Sequence, residues 1–306
     1  MKKARLTIIG TINQDSIRLP SGRLRRSYGG ILYNILPLAQ LAPESLIISP
    51  VCNLGYNIYN RIVTYLRVFK NINLKGINKV SVKNNHVYLY YSQRWNKTET
   101  LKYLVPEIEF SQIEPFLDSD LILVNFISGF DISLDCLKRI RRKTKALIFI
   151  DVHSLLLGIK EDGKRFFRVP NCWEEYLETA DIVQMNFKEI QVLSGSILDS
   201  DFKIKKIARK ILNIRPEILI VTKGEKGALL FLKNKNKITR FNIGSFKVRN
   251  FTDPTGCGDV FSSGFIFSFL KTGDAILSTE FASFLAGRKS RFSGIEKSLA
   301  LDFQNY

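Results

Sequence analysis

Asp253-Pro254-Thr255-Gly256-Cys257-Gly258-Asp259 runs directly into the apolar stretch 260–267. Two glycines bracket one small residue where a helix begins, and a carboxylate sits one step inside it. The first turn of a helix has N–H groups without intrahelical partners and the positive end of the macrodipole, so it attracts an anion. Glycine lets that anion come close to the backbone. A carboxylate beside the anion accepts the proton of a hydroxyl that attacks phosphorus, and phosphoryl transfer needs both parts. Taken alone, the string has a second reading: a Gly-rich turn whose aspartate caps the helix.

Other polar clusters follow apolar runs. Asn13 and Asp15, in Gly10-Thr11-Ile12-Asn13-Gln14-Asp15, come just after the first apolar segment and can hydrogen-bond hydroxyls. Tyr28-Gly29-Gly30-Ile31-Leu32-Tyr33-Asn34 reads as the start of a helix with bare backbone at Gly29 and Gly30. Asn34, four residues after Gly30, returns to the same helix face. A tight turn and a buried polar residue are the structural alternatives. In Asn186-Phe187-Lys188-Glu189 a three-residue step puts Asn186 and Glu189 on one face, where oxygen ligands suit Mg²⁺. The same spacing also makes a capping box.

These strings, with Val221-Thr222-Lys223-Gly224-Glu225-Lys226-Gly227-Ala228, occur in the order found in the ribokinase-like (PfkB) family of sugar and nucleoside kinases, which the chain resembles over nearly its whole length. The resemblance implies an α/β, ribokinase-like three-layer sandwich with a mostly parallel central sheet and a small β lid. It assigns Asp259 as base and Gly256, Cys257 and Gly258 as the anion hole, with Cys257 where the family usually has alanine. Asn13, Asp15, Gly29, Gly30, Asn34 and Asp253 fall at substrate-side positions. Thr222, Lys223, Gly224 and Gly227 fall at nucleotide contacts, with Lys226 beside them. Ser283 stands where many relatives carry an asparagine near adenine. Asn186 and Glu189 match a motif that serves Mg²⁺ and the ATP phosphates. A monovalent cation near Asp253 is a further implication. Asn53-Leu54-Gly55-Tyr56-Asn57 lacks the aspartate and second glycine of a family signature, which leaves the acceptor open between a sugar and a nucleoside. Tyr28, Tyr33 and the cluster 88–91 offer a stacking surface for a base, or simple packing. A non-catalytic sugar or nucleotide sensor is a rival reading, against which the intact Asp259 turn argues.

The elements that must position these residues alternate. Apolar runs at 6–10, 46–49, 121–125, 147–151, 182–185 and 218–222 read as buried strands, with helices over 30–41, 56–69, 132–142 and 203–212 between them. That order implies a parallel sheet covered on both faces, with ligands beyond the carboxyl ends of its strands. Segments 16–27, 86–91 and 97–103 read instead as half-exposed strands. The lid is expected within 14–28 and 84–104, and an exposed lid edge would favour a homodimer.

Composition fits one domain over 1–306: 306 residues at 45% hydrophobic bury a large core without a linker. No signal-peptide pattern follows Met1, and no apolar run approaches a membrane span, so the expected location is the cytoplasm. The four cysteines are scattered, which excludes a disulfide framework or zinc spacing. His86 and His153 share no motif and read as packing residues. The net charge of +18 is spread along the chain, at 23–26, 138–143 and 203–210 among others, so nucleic acid is not the expected partner. A positive field does favour phosphorylated ligands.

Overall fold

The structure, a computed structural model, describes residues 3–93 and 96–294. Met1, part of the segment read as lacking a signal peptide, and two residues of the expected lid range lie outside the described residues. Strand β1 (Ala4–Ile9) leads into the hairpin β2 (Ile12–Arg18) and β3 (Leu24–Gly30), then α1 (Leu32–Leu41), β4 (Leu46–Gly55), α2 (Tyr59–Leu66) and β5 (Ile77–Val80). A second hairpin, β6 (His86–Tyr91) and β7 (Lys97–Lys102), precedes α3 (Phe110–Ile113), β8 (Leu121–Asn125), α4 (Leu134–Lys143) and β9 (Leu147–Asp151). A short hairpin, β10 (Leu157–Ile159) and β11 (Arg165–Phe167), is followed by α5 (Trp173–Leu177), β12 (Ile182–Asn186), α6 (Phe187–Ser194) and α7 (Asp201–Ile214). The chain continues through β13 (Ile218–Thr222), β14 (Ala228–Asn234), β15 (Lys237–Ile243), α8 (Cys257–Thr272) and α9 (Ala275–Lys289).

The large sheet has the order β15-β14-β13-β12-β9-β8-β1-β4-β5, parallel from β13 to β5, with β14 and β15 added antiparallel at one edge. Its inner strands are continuous apolar runs because both faces are covered. Alternate residues of β8 divide between the two cores. Leu121 and Leu123 join α1, α8 and α9, while Ile122 and Val124 join α4 and α7. On α7, Ile204, Ile207, Ala208, Ile211 and Leu212 recur at helical spacing and give it one buried face. These are the three layers implied by the alternation of strands and helices.

The second sheet, ordered β3-β2-β6-β7, forms the lid. Val87, Leu89 and Tyr91 of β6 turn inward onto Ile17 and Leu101, while Tyr88 and Tyr90 face solvent. The period of two is what the sequence shows there. Two boundaries differ from the sequence reading. Gly29 and Gly30 end β3 rather than opening the helix, which starts at Leu32. Strand β4 runs on to Gly55, because Asn53 is held at its end by the Pro106 and Glu107 carbonyls. No helix among the described residues is long and apolar enough to cross a membrane.

Helix α8 carries the anion turn, and its seat depends on close packing against α9. A Cβ on Gly264 would meet the Ala282 Cα at 2.9 Å. Gly264→Leu is expected to destabilise the protein by about 2 kcal/mol through overpacking, read as a lower midpoint of denaturant unfolding. An unchanged midpoint would mean that the two helices separate without cost.

Candidate active site

The carboxyl ends of neighbouring strands set a row of polar side chains at one edge of the sheet. Asn125 lies in register with Asp151, Asp151 with Gln184, and Asn186 with Thr222. Across from this row comes the first turn of α8. Gly256, its N-cap, has φ of 78°, and the Tyr33 ring lies so close that an added Cβ would be 2.5 Å from it. A side chain at 256 would therefore be both strained and excluded. The Cys257 N–H donates to Pro254 O at 3.1 Å, so the remaining donors of the turn lie further into the helix.

Asp259 follows at once, and one bridge orients its carboxylate. Asn125 Nδ2 donates to Asp259 Oδ1 at 2.8 Å and to Asn34 Oδ1 at 3.0 Å. Asn34 Nδ2 in turn donates to the Asp259 carbonyl at 2.8 Å and to Ser262 Oγ at 2.9 Å. Asn34 thus returns to the site's side of α1, as its spacing suggests, but it holds the base of α8 from beneath and does not line the cavity. Gln184 Nε2 bonds both Asp151 Oδ2, at 2.7 Å, and Gly258 O, at 3.0 Å.

Asp259 lines a cavity of about 170 Å³. Asn13, Asp15, Gly30, Tyr33, Lys97, Glu99, His153, Gly256 and Gly258 also face it, and Val87, Leu89 and Tyr91 of the lid close it from above. Gly29 supports Asp15 from behind: a Cβ there would be 2.0 Å from Asp15 Oδ2. Tyr91 Oη lies 3.0 Å from Thr255 Oγ1 and ties the lid to the loop before α8. Asp253 is fully buried outside the wall and braces that loop, accepting from Thr255 N at 2.9 Å and Ser293 Oγ at 2.7 Å.

The residues expected at the nucleotide and metal sit beyond Asp151. Asn186 caps α6, and Glu189 returns the favour as a capping box, with both its oxygens on Asn186, at 2.5 and 2.7 Å. Thr222, Lys223 and Gly224 end β13 and turn into β14 through Gly227, whose φ of 78° and contact with Ile243 O require glycine. Ser283 donates to Gly244 O at 2.7 Å beside this turn. Of the residues singled out in the sequence, Asp259, Gly256, Gly258, Asn13, Asp15 and Gly30 come together in one cavity wall. Cys257, Gly29, Asn34 and Asp253 support it, and the Asn186, Thr222–Gly227 and Ser283 group lies along the neighbouring strand ends.

Neither expected metal is matched by a set of direct ligands. No group of three His, Cys, Asp or Glu among the described residues is placed to hold an ion. Asp253 has both oxygens engaged. Near it, Lys289, fully buried at the end of α9, donates to Phe292 O at 3.0 Å and lies 5.3 Å from the Tyr33 ring centroid. This ammonium places a positive charge beside the turn.

Four site residues escaped the sequence reading. Asn125 ends an apolar strand just as Asn13 follows one, so its position carried a signal. Lys97 and Glu99 alternate on one face of β7 and pair at 3.0 Å, which the two-residue spacing allowed. His153 follows Asp151 off a strand end. It was read as packing, yet it faces the cavity with φ of 31°, a conformation uncommon outside glycine.

The electrostatics are dominated by buried carboxylates. Burial, then the Glu99, Asp259 and Asp253 charges, push Asp15 well above the usual carboxylate range. Burial, with Asp259 and Glu189, does the same to Asp151. Burial also raises Asp259, partly offset by His153 and by the Asn125 hydrogen bond. Glu99 is the exception: against its burial, Lys97 and Arg165 hold it below the usual value. Such clustering of perturbed groups in a cavity marks functional sites.

A raised folded pKa means that, between the ordinary carboxylate pKa and the folded value, Asp15 keeps a proton which the unfolded chain has lost. Its contribution to stability is present below the ordinary carboxylate pKa and is lost as pH rises through the folded value. Ligand-free Asp15→Asn is therefore expected to raise Tm at about pH 8 and to flatten the fall of Tm between about pH 5 and pH 8. Thermal unfolding across that range checks this; an equally steep fall would show that Asp15 is not the group responsible.

Comparison with known proteins agrees with this geometry. Residues 163–289 match the model of the pfkB family carbohydrate kinases. A cytidine kinase of Thermococcus kodakarensis is 22% identical over 264 residues, covering 85% of this chain and 87% of that relative. A pyrophosphate-dependent kinase in the ribokinase family shares the fold with a TM-score of 0.76 at 18% identity, over 94% of this chain and 96% of that one. A ribokinase of Arabidopsis thaliana, solved with ribose and ATP, shares it with a TM-score of 0.70 at 15% identity, over 98% of both chains. The chain thus has the ribokinase fold over nearly its whole length and matches the pfkB family of carbohydrate kinases over residues 163–289, the resemblance of a phosphotransferase whose acceptor is a hydroxyl.

Proposed function

We propose that this chain transfers the γ-phosphate of ATP to a hydroxyl of a sugar or sugar-like small molecule. The observation that carries the reading is Asp259: a buried carboxylate, held by Asn125 at the first turn of α8, in the wall of a small polar cavity. The acceptor lies between the lid and the Gly29-Gly30 strand end, with Asn13 and Asp15 on its hydroxyls. One hydroxyl oxygen attacks the γ-phosphorus and gives its proton to Asp259. The new O–P bond forms as the bond to the β-phosphate oxygen breaks, and ADP leaves with that electron pair. N–H groups of the 256–258 turn other than that of Cys257, which bonds Pro254 O, stabilise charge on the phosphoryl oxygens.

The donor extends along Asn186, the Thr222–Gly227 turn and Ser283. Mg²⁺ bound by the phosphates would reach Glu189 and Asn186 through water, since their oxygens already serve each other, and it would neutralise the polyphosphate. The cavity favours a single-ring acceptor over a nucleoside. At about 170 Å³ it is below the roughly 300–1,000 Å³ of pockets for larger ligands. A nucleoside, as in the Thermococcus relative, would need the lid to lift.

The test is ADP or phosphate release from Mg²⁺ with ATP, and in parallel with pyrophosphate, across pentoses, hexoses, sugar phosphates, inositols and nucleosides. Asp259→Asn is expected to lose ~10²–10⁴-fold in turnover and to keep ATP binding by titration. Turnover near that of the parent would sink the assignment. Because Asp259 must be ionised and burial raises its pKa, activity is expected to fall on the acid side at a pH above the usual carboxylate range. With the Lys289 ammonium in place, potassium is expected not to activate the enzyme; activation by potassium would mean that Lys289 does not provide that charge.

A further inference from the structure

Phosphoryl transfer brings a multiply charged anion into a cavity whose wall carries the carboxyl groups of Asp15, Glu99 and Asp259. Of the cations nearby, Lys97 and Lys289 are committed to other partners. Lys97 pairs with Glu99 at 3.0 Å. Lys289 lies under Tyr33 and donates to Phe292 O. Arg165 is buried behind the wall, 4.0 Å from Glu99. His153 is different. It lines the cavity, and its Nδ1 is fixed by Ser154 Oγ at 2.8 Å, which leaves Nε2 without a hydrogen-bond partner among the described residues. Ser154 is fully buried and is itself anchored, its N–H donating to Phe126 O at 2.8 Å.

The groups around His153 come from several elements. Its charge acts on Asp259 of α8, on Glu189 of α6 and on Glu99 of β7, beside Lys97 and Arg165. Its own N–H bonds Asp151 at the end of β9. It therefore stands where the acceptor side, marked by Glu99 and Asp259, meets the donor side, marked by Glu189. His153 also has a positive φ of 31°, a strained backbone of the kind that functional sites retain.

Resting on the kinase reading above, we infer that His153 Nε2 donates a hydrogen bond to an oxygen of the phosphoryl group in transfer, beside Asp259. Charge on the phosphoryl oxygens is what a preorganised donor stabilises, and removing one such donor typically costs ~10²–10³-fold in kcat. His153→Asn, and independently His153→Gln, are expected to lower kcat by about that factor with the acceptor KM little changed. A kcat within about threefold of the parent, or a loss confined to the acceptor KM, would overturn the role.

A second readout needs no turnover. The chain has two histidines. His86 lies in the lid against Ser16 and Tyr88, so His86→Asn assigns the ring proton signals. Adding β,γ-methylene ATP or inorganic pyrophosphate is expected to shift the His153 signals and leave those of His86 in place. Signals of His153 unmoved at saturating donor would refute the contact. A shift in a protein that phosphorylates nothing in the panel would keep the contact and overturn the kinase reading. A dead Asp259→Asn beside a fully active His153→Asn would do the reverse.

Discussion

One side-chain amide holds the site together. Asn125 Nδ2 reaches Asn34 Oδ1 in α1 and Asp259 Oδ1 in α8 from the end of β8. The three residues are remote in sequence, and each is buried. The Asn125 amide places both of its N–H donors in this bridge, while its buried Oδ1 has no hydrogen-bond partner among the described residues, so the two donors set the geometry. The bridge fixes the carboxylate's orientation, the start of α8 and the distance between α8 and the sheet. Tyr33, one residue before Asn34, then fills the space over Gly256, and this leaves the anion turn with bare backbone on the side that faces the cavity.

Around this bridge the fold gathers acids that a free chain would keep apart. Asp15, Asp151, Glu189 and Asp259 are all raised by burial, and several raise one another. The chain as a whole is strongly basic, yet its cavity is acidic, with cations placed as individual partners. Lys97 holds Glu99, Arg141 holds Asp181 outside the site, and Lys289 lies beneath the turn. The broad positive field draws phosphorylated ligands toward the protein. The ligand-free arrangement is correspondingly under strain, as functional sites often are at a cost in stability.

The lid makes the site small. Its parallel β2–β6 pair carries Asp15 on one strand and Val87 and Leu89 on the other, so polar grip and apolar cover arrive on one sheet. Tyr91 joins that sheet to Thr255, two residues before α8. The lid therefore bears on the same loop that Asp253 braces from below.

Much of this was legible in the sequence. Period-two and period-3.6 patterns specify strands and helices locally, and continuous apolar strands separated by helices leave a parallel sheet as the natural packing. The glycine turn at 256–258 and the Asn186–Glu189 step are local motifs, so their backbone forms follow from neighbouring residues. What the sequence could not decide was which polar side chain faces the cavity. Asn34 has the right helical phase but lies one layer below the wall, and Asn186 and Glu189 satisfy each other as a cap. Asn125, Lys97, Glu99 and His153 belong to no contiguous motif; they converge because sheet register and lid closure bring distant segments together. Local interactions determined the elements and the anion turn. Only tertiary packing, through burial and contacts across more than a hundred residues of chain, decided which groups meet and what their charges become.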